Sequence, residues 1–272
     1  MSWKATAPSS ANCPKRGFLP PQNDAERTLV RHAEDLARAA QSRGVARYSD
    51  FLSDREQDLV QAAMNRAGCT CWHWDGGFTD AERKVLCIEP EDSYPASPVV
   101  CIQIQCRLVS GASALQHKDY LGSLMGLSME RASLGDIVLP PDQEGTAYVF
   151  ALENAARLIL MELDRIGNIG VTCTEVEQVP QFQSVEREIQ TVTVSSLRLD
   201  AVLAAMLRCS RGQAADLIAA GRVEINHVPA TSAHAPVYVE DIFTVRGKGR
   251  FKLTDLPGKS KKAREIIAFF RF

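Results

Sequence analysis

Three groupings of residues in this sequence of 272 could carry chemistry. The first is "CTCWHW" at 69–74, where Cys69, Cys71 and His73 bring two thiols and an imidazole of the kind that ligate zinc. A CxC with one histidine lacks a fourth ligand, and none of the eight cysteines forms a CxxC pair. Cys87, Cys101 and Cys173 fall in β-like runs, where cysteine serves as a small hydrophobe. The reading is therefore free thiols in a reducing compartment, with no metal and no cofactor. The second grouping is "HKDY" at 117–120, whose His117, Lys118 and Asp119 could exchange protons with a substrate. The alternative is a helix start in which His117 and Lys118 are secondary contacts for phosphate. The third is a cationic series, Arg198, Arg208, Arg211, Arg222, Arg246, Lys248, Arg250, Lys252, Lys261 and Lys262, whose natural ligand is a polyanion.

The distribution of charge agrees with the third reading. From Arg187 to Phe272 there are 14 Lys+Arg against 8 Asp+Glu, net +6, which leaves net −8 for residues 1–186. A basic module thus follows an acidic body. Hydrophobic residues make up 45% of the chain, and no apolar run approaches the roughly 18–20 residues that span a bilayer. No membrane role is expected. Residues 1–23 contain no acidic residue, several Ser, Ala and Pro, and no apolar core of a secretory signal. They read as a disordered tail, with an organelle-targeting remnant as the alternative.

Periodicity supplies the elements that must position these groups. Residues 24–80 read as a helical N-terminal unit: "DAERTLVRHAEDLARAAQ" has apolar residues at helical spacing, and "SDREQDLVQAAMNRAG" opens on a Ser53-x-x-Glu56 capping box and stops at Gly68. Residues 81–180 give strand candidates "VLCIEP" and "VVCIQIQC", a helix from "QHKDY", strands "DIVLP" and "TAYVFAL", a helix "ENAARLILMELDRIG" and a strand "VTCTEVE". From "VVCIQIQC" onward the order is β-α-β-β-α-β, that of an RRM-like split βαβ sheet. Such sheets can stack bases on aromatics, and Tyr148 and Phe150 share a strand face, but core packing explains them equally well. A linker follows at 181–190. The fold class is α+β.

Residues 191–256 complete the module. "SLRLDAVLAAMLR" places Leu199, Val202, Leu203, Met206 and Leu207 on one helical face. Ser210 and Gln213 form a second capping box and Gly221 stops that helix, so Arg211 lies in a first turn, where free N–H groups and the helix dipole favour phosphate. "RVEIN" and "PVYVEDIFTVRGKGRFKL" add strands; Arg246, Lys248, Arg250 and Lys252 alternate and would face one side of a single strand. Residues 257–272 read as a basic tail.

"RLDAVLAAMLRCSRGQAADLIAAGRVEIN" with "EDIFTVRGKGRF" resembles the small RNA-binding domain named after ribosomal protein S-four. "GGFTDAERKVL", "LQHKDYLGSLMGLSMERASLGDIVLP" and "GRFKLTDLPGKSKKAR" are similar to the YlmH family of bacterial and plastid proteins that carry this domain at the C-terminus, over about residues 48–264. The resemblance implies a non-enzymatic, monomeric factor of the cytoplasm, or alternatively of the plastid stroma. It also implies binding to structured large-subunit ribosomal RNA and to tRNA or peptidyl-tRNA, in rescue of stalled nascent chains. Its RNA contacts would be the cationic series together with Ser210, Gln213 and Asn226. His227 and Glu240 stand where the domain commonly has glycine, which bears on local turns. The competing reading is an RNA-modifying enzyme: "RLD" at 198–200 hints at a pseudouridine synthase and "DGGF" at 75–78 at a methyltransferase, while "GKSKK" at 258–262 hints at a tRNA synthetase. None has the catalytic domain or cofactor loop that such chemistry needs.

Overall fold

The computed structural model describes residues 18–91, 93, 96–107, 115–182 and 187–272. Most of the expected disordered tail, residues 1–17, lies outside the described residues, as does part of the expected linker, 183–186. Two compact units emerge, one over Pro20–Ser184 and one built on Val185–Phe272.

In the first unit, α1 (Asp24–Arg43) is capped by Asn23, which accepts from the Glu26 N–H, and it ends at Gly44 with φ +61°. Val30, Ala33, Ala37 and Ala40 recur every three to four residues and are its buried stripe. The Ser53/Glu56 box opens α2 (Asp54–Arg66) as expected. Between the helices, however, the chain runs as β1 (Arg47–Leu52), and β2 (Trp72–Asp75) and β3 (Lys84–Ile88) follow, paired antiparallel in the order β1-β3-β2. The N-terminal part is therefore helix and sheet rather than helical, and it takes β3 from the segment assigned to the middle domain. Of these only β3 shows in the sequence; β1 and β2 are strands through their pairing with it. β1 also carries a bulge between Tyr48 and Phe51, where the Ser49 hydroxyl accepts the Leu86 N–H.

The middle sheet consists of β4 (Val99–Cys106), β5 (Leu134–Val138), β6 (Thr146–Leu152), β7 (Arg165–Ile166) and β8 (Ile169–Glu175), with α3 (His117–Met125) and α4 (Glu153–Glu162) in the expected crossovers. Its order, β5-β6-β4-β8-β7, is wholly antiparallel. This is the split βαβ arrangement. Ile102, Ile104, Val149 and Ile159 pack with the helices on one face. On the other, Cys101, Tyr148 and Phe150 meet Phe51, Val85 and Cys87 of the N-terminal sheet, with Phe78 and Phe182 against them. Gly77 makes this closeness possible: its φ is +83°, and a Cβ there would overlap the Phe150 ring. Phe182 lies 5.1 Å from Tyr148, so the chain is still anchored to this unit at the start of the expected linker.

The second unit contains β9 (Gln190–Val194), α5 (Leu199–Leu207), α6 (Arg211–Ala219), β10 (Val223–Ile225), β11 (Val228–Pro229), β12 (Ile242–Val245), β13 (Gly249–Lys259) and β14 (Glu265–Arg271). The sheet order is β11-β10-β12-β13-β14-β9. Leu199, Val202, Leu203 and Met206 of α5 pack against Phe243, Phe251, Ile267 and Phe269. Two expectations are corrected here. The basic tail is the end of β13 and all of β14, because Ile267 and Phe269, two apart, both belong to the core. The alternating cations do not share a strand either. Gly247 (φ +78°) lies within a turn at 246–248 and Gly249 (φ +114°) directly after it, with the Lys248 N–H donating to the Val245 carbonyl, so of this series only Arg250 and Lys252 lie on β13.

His227 and Glu240 have φ +63° and +74°, the left-handed region in which glycine is at ease. Asn226 and His227 form the two-residue turn of the β10–β11 hairpin, and His227 Nε2 is buried without a hydrogen-bond partner. Replacing His227 by glycine relieves both. Thermal melting of the full chain should show His227→Gly stabilising this unit by about 1 kcal/mol, a rise of a few degrees; a fall would show that the imidazole contributes more than its backbone strain costs.

Candidate nucleic-acid interface

The helix pair α5–α6 is organised around a carboxylate. Arg198 is the N-cap residue of α5, Arg211 the first residue of α6, and both reach Asp200, whose side chain is only 9% exposed. Arg198 donates through Nε at 3.2 Å and Nη2 at 2.9 Å, one nitrogen to each oxygen, in a bidentate fork. Arg211 Nη2 donates to the same oxygens at 3.2 and 3.1 Å, and the Ala201 N–H to Oδ1 at 2.8 Å. Burial alone would raise the Asp200 carboxyl, but the bonds from Arg198 and Arg211 outweigh it and hold the group below its ordinary 3.8. The Arg198 and Arg211 side chains stay 39% and 49% exposed. Arg198 also contacts His234 Nδ1. This places two fixed, half-solvated cations at the start of a nine-residue helix, beside the positive end of its dipole. Such an arrangement suits phosphate oxygens.

The remaining expected contacts sort themselves by what they already hold. Ser210 and Gln213 form the α6 capping box, with Ser210 Oγ accepting the Gln213 N–H and Gln213 Oε1 accepting the Ser210 N–H. Arg208 is exposed at the end of α5, in the left-handed conformation (φ +52°). Beyond the other end of α6, the Arg222 side chain donates to the Arg246 carbonyl and the Arg271 side chain to that of Lys248; this fixes an exposed turn that carries the Arg246 and Lys248 charges. The two cationic groups are thus separated by α6, roughly 13 Å long. Arg250 lies 4.4 Å from the Phe272 ring centroid, and Lys252 pairs with Glu240 at 2.7 Å, so both are engaged on the sheet. Lys261 and Lys262 occupy the β13–β14 turn, at the opposite end of an 11-residue strand from Arg246, on the order of 30 Å away, and are not part of one phosphate face with it. The Asn226 side-chain nitrogen donates to Asp241 Oδ1 and its side-chain oxygen accepts the Ile242 N–H, so this side chain closes a turn.

Residues missed from the sequence are Asp200, as organiser, and His234. The signal for Asp200 was its polarity inside the apolar run "LDAVLAAML". In the first unit, His117 and Lys118 are exposed on the first turn of α3, and Asp119 accepts the Gln116 N–H at 2.8 Å, which caps its own helix. Tyr148 and Phe150 are 4% and 0% exposed, so no base can stack on them.

Residues 197–243 match the family model of the S4 domain, and residues 104–179 that of the RNA-binding domain in YlmH. A Bacillus subtilis (strain 168) protein named ribosome-associated protein quality control protein P2 is 31% identical over 248 residues, 90% of this chain and 95% of that one. A solved structure, cell division protein YlmH from Streptococcus pneumoniae, is 17% identical with a TM-score of 0.49, covering 59% of this chain and 96% of that one.

Asp200→Asn removes the charge while keeping the shape. It should destabilise this unit by about 2 kcal/mol at neutral pH. Because the folded carboxyl titrates lower than the unfolded one, the difference should shrink as pH falls below 3.8 toward the lowered folded value. Denaturant melts across that range test it; a pH-independent difference would mean that the carboxylate charge is not what holds the pair.

Proposed function

Since the chain belongs to the YlmH family of RNA-binding proteins with a C-terminal S4 domain, we propose that it is a monomeric, non-enzymatic factor that docks on structured RNA of the large ribosomal subunit. Its place is beside tRNA or peptidyl-tRNA, in the rescue of stalled nascent chains, in a bacterial cytoplasm or a plastid stroma. The observation that carries this reading is the Asp200 clamp, which presents Arg198 and Arg211 at the start of α6. The net +6 of the C-terminal segment supplies the surrounding field. Arg208, Arg222, Arg246 and Lys248 extend the surface along α6, whereas Lys261, Lys262, His117 and Lys118 would be separate, weaker contacts. A modifying enzyme is disfavoured by Asp119, whose carboxylate is committed to a helix cap.

Charge reversal at Arg198 would set a second carboxylate against Asp200, so truncations are the cleaner probes. Arg208→Ala and Arg211→Ala should each weaken co-sedimentation with large subunits and lower the salt slope of binding by about one, and the double variant should lose most binding at physiological salt. Unchanged sedimentation of the folded double variant would refute the interface.

The enzyme alternative predicts something else. Nucleoside mass spectrometry of ribosomal RNA and tRNA should show the same modifications with and without the protein. A modification that disappears with Asp119→Asn, in protein still bound to ribosomes, would overturn the assignment as a binder.

A further inference from the structure

Three donors of different chemistry meet on one face of the N-terminal sheet. His73 on β2 stands opposite Cys87 on β3, and Cys87 opposite Tyr48 on β1. Glu89 follows Cys87 by two residues and continues the same face. One imidazole nitrogen, the Cys87 sulfur and a Glu89 oxygen all lie within 4.8 Å of one another, with His73 Nδ1 3.7 Å from Glu89 Oε2. Donors around a tetrahedral zinc ion sit about 3.5 Å apart, given bonds of 2.0–2.3 Å. Small side-chain adjustments would therefore close the set.

The surroundings favour a cation. The Cys87 side chain is wholly buried, and its thiol lies 3.9 Å from the Val85 carbonyl of its own strand. The carboxylates of Asp75 and Glu89 both lie near this thiol and set negative charge beside it. Tyr48 Oη donates to Glu89 Oε1 at 3.4 Å and orients the carboxylate from behind. His73, half-exposed on the edge strand, leaves a path from solvent.

We propose that His73, Cys87 and Glu89 bind one thiophilic divalent cation of the zinc class, with water in the fourth position, and that this ion staples β2 to β3. On binding, the thiol S–H bond breaks and the S–metal bond forms, so one proton leaves to solvent for each ion bound. The spacing of Cys69, Cys71 and His73 along the chain pointed elsewhere and suggested no metal. Cys69 and Cys71 in fact pack with the helix-side core, their sulfurs 3.9 Å apart, while His73 meets partners on the neighbouring strand.

Cobalt(II) titration of the reduced full-length protein tests this. One equivalent should produce the thiolate-to-cobalt charge-transfer band, with release of about one proton, and zinc should displace it. Cys87→Ser should abolish the band, His73→Ala and Glu89→Gln should each weaken cobalt binding at least about tenfold, and the Cys69→Ser/Cys71→Ser double variant should retain it. Because His73 lies at the surface, His73→Ala keeps the test meaningful should Cys87→Ser fail to fold by circular dichroism. Absence of the band in folded wild type, its persistence in folded Cys87→Ser, its loss with the Cys69/Cys71 pair, or undiminished affinity in His73→Ala would each overturn the proposal.

Discussion

Removing the Asp200 carboxylate from water is costly unless cations replace its hydration. In the second unit they must come from both ends of a short segment: from Arg198, just before α5, and from Arg211, just after the turn into α6. Satisfying one buried charge therefore fixes where the second helix begins and where two guanidiniums point. Each guanidinium has five donors; Arg198 gives Asp200 its Nε and Nη2, and Arg211 gives it Nη2. The segment at 233–235 belongs to the same construction, since the Leu199 and Asp200 N–H groups donate to the Ala235 and Ala233 carbonyls and His234 lies against Arg198. A structural ion pair and a surface for anions are here the same set of atoms.

The first unit makes the complementary point. Its middle sheet has the strand order of a base-stacking module, yet the face that would carry the bases is closed by a second sheet and by Phe78 and Phe182. Architecture and use are separable. What remains accessible there is the helix side, where His117 and Lys118 stand, while the excess of positive charge lies on the other unit.

Features legible in the sequence were those with a local cause. Both capping boxes, the glycine stops and the apolar stripes of α1 and α5 depend on residues within one or two helical turns, and they stand where spacing put them. The β-α-β-β-α-β order was readable for the same reason. Hidden features depended on distant partners. β1 and β2 are strands because β3 pairs with both, Asp200 matters because Arg211 arrives across a turn, and Asn226 is drawn inward by Asp241. The alternation from Arg246 to Lys252 misled because its period continues through a turn that two glycines permit. Glu240 and His227 show the converse: a departure from glycine was visible, and its consequence, a left-handed backbone, needed coordinates.

The sheet of the second unit joins its first strand to its last: β9 at 190–194 pairs along its whole length with β14 at 265–271. Beside this seam, the Phe272 ring contacts both the Arg187 and Arg250 guanidiniums. During synthesis, β9 is made long before its neighbour β14, and so waits as an unpaired edge until that strand emerges. Closure of this unit is therefore governed by contacts of large sequence separation, between residues 190–194 and 265–269. A chain without residues 265–271 would keep α5 and α6 in sequence but lose the strand that joins β9 to the rest of the sheet.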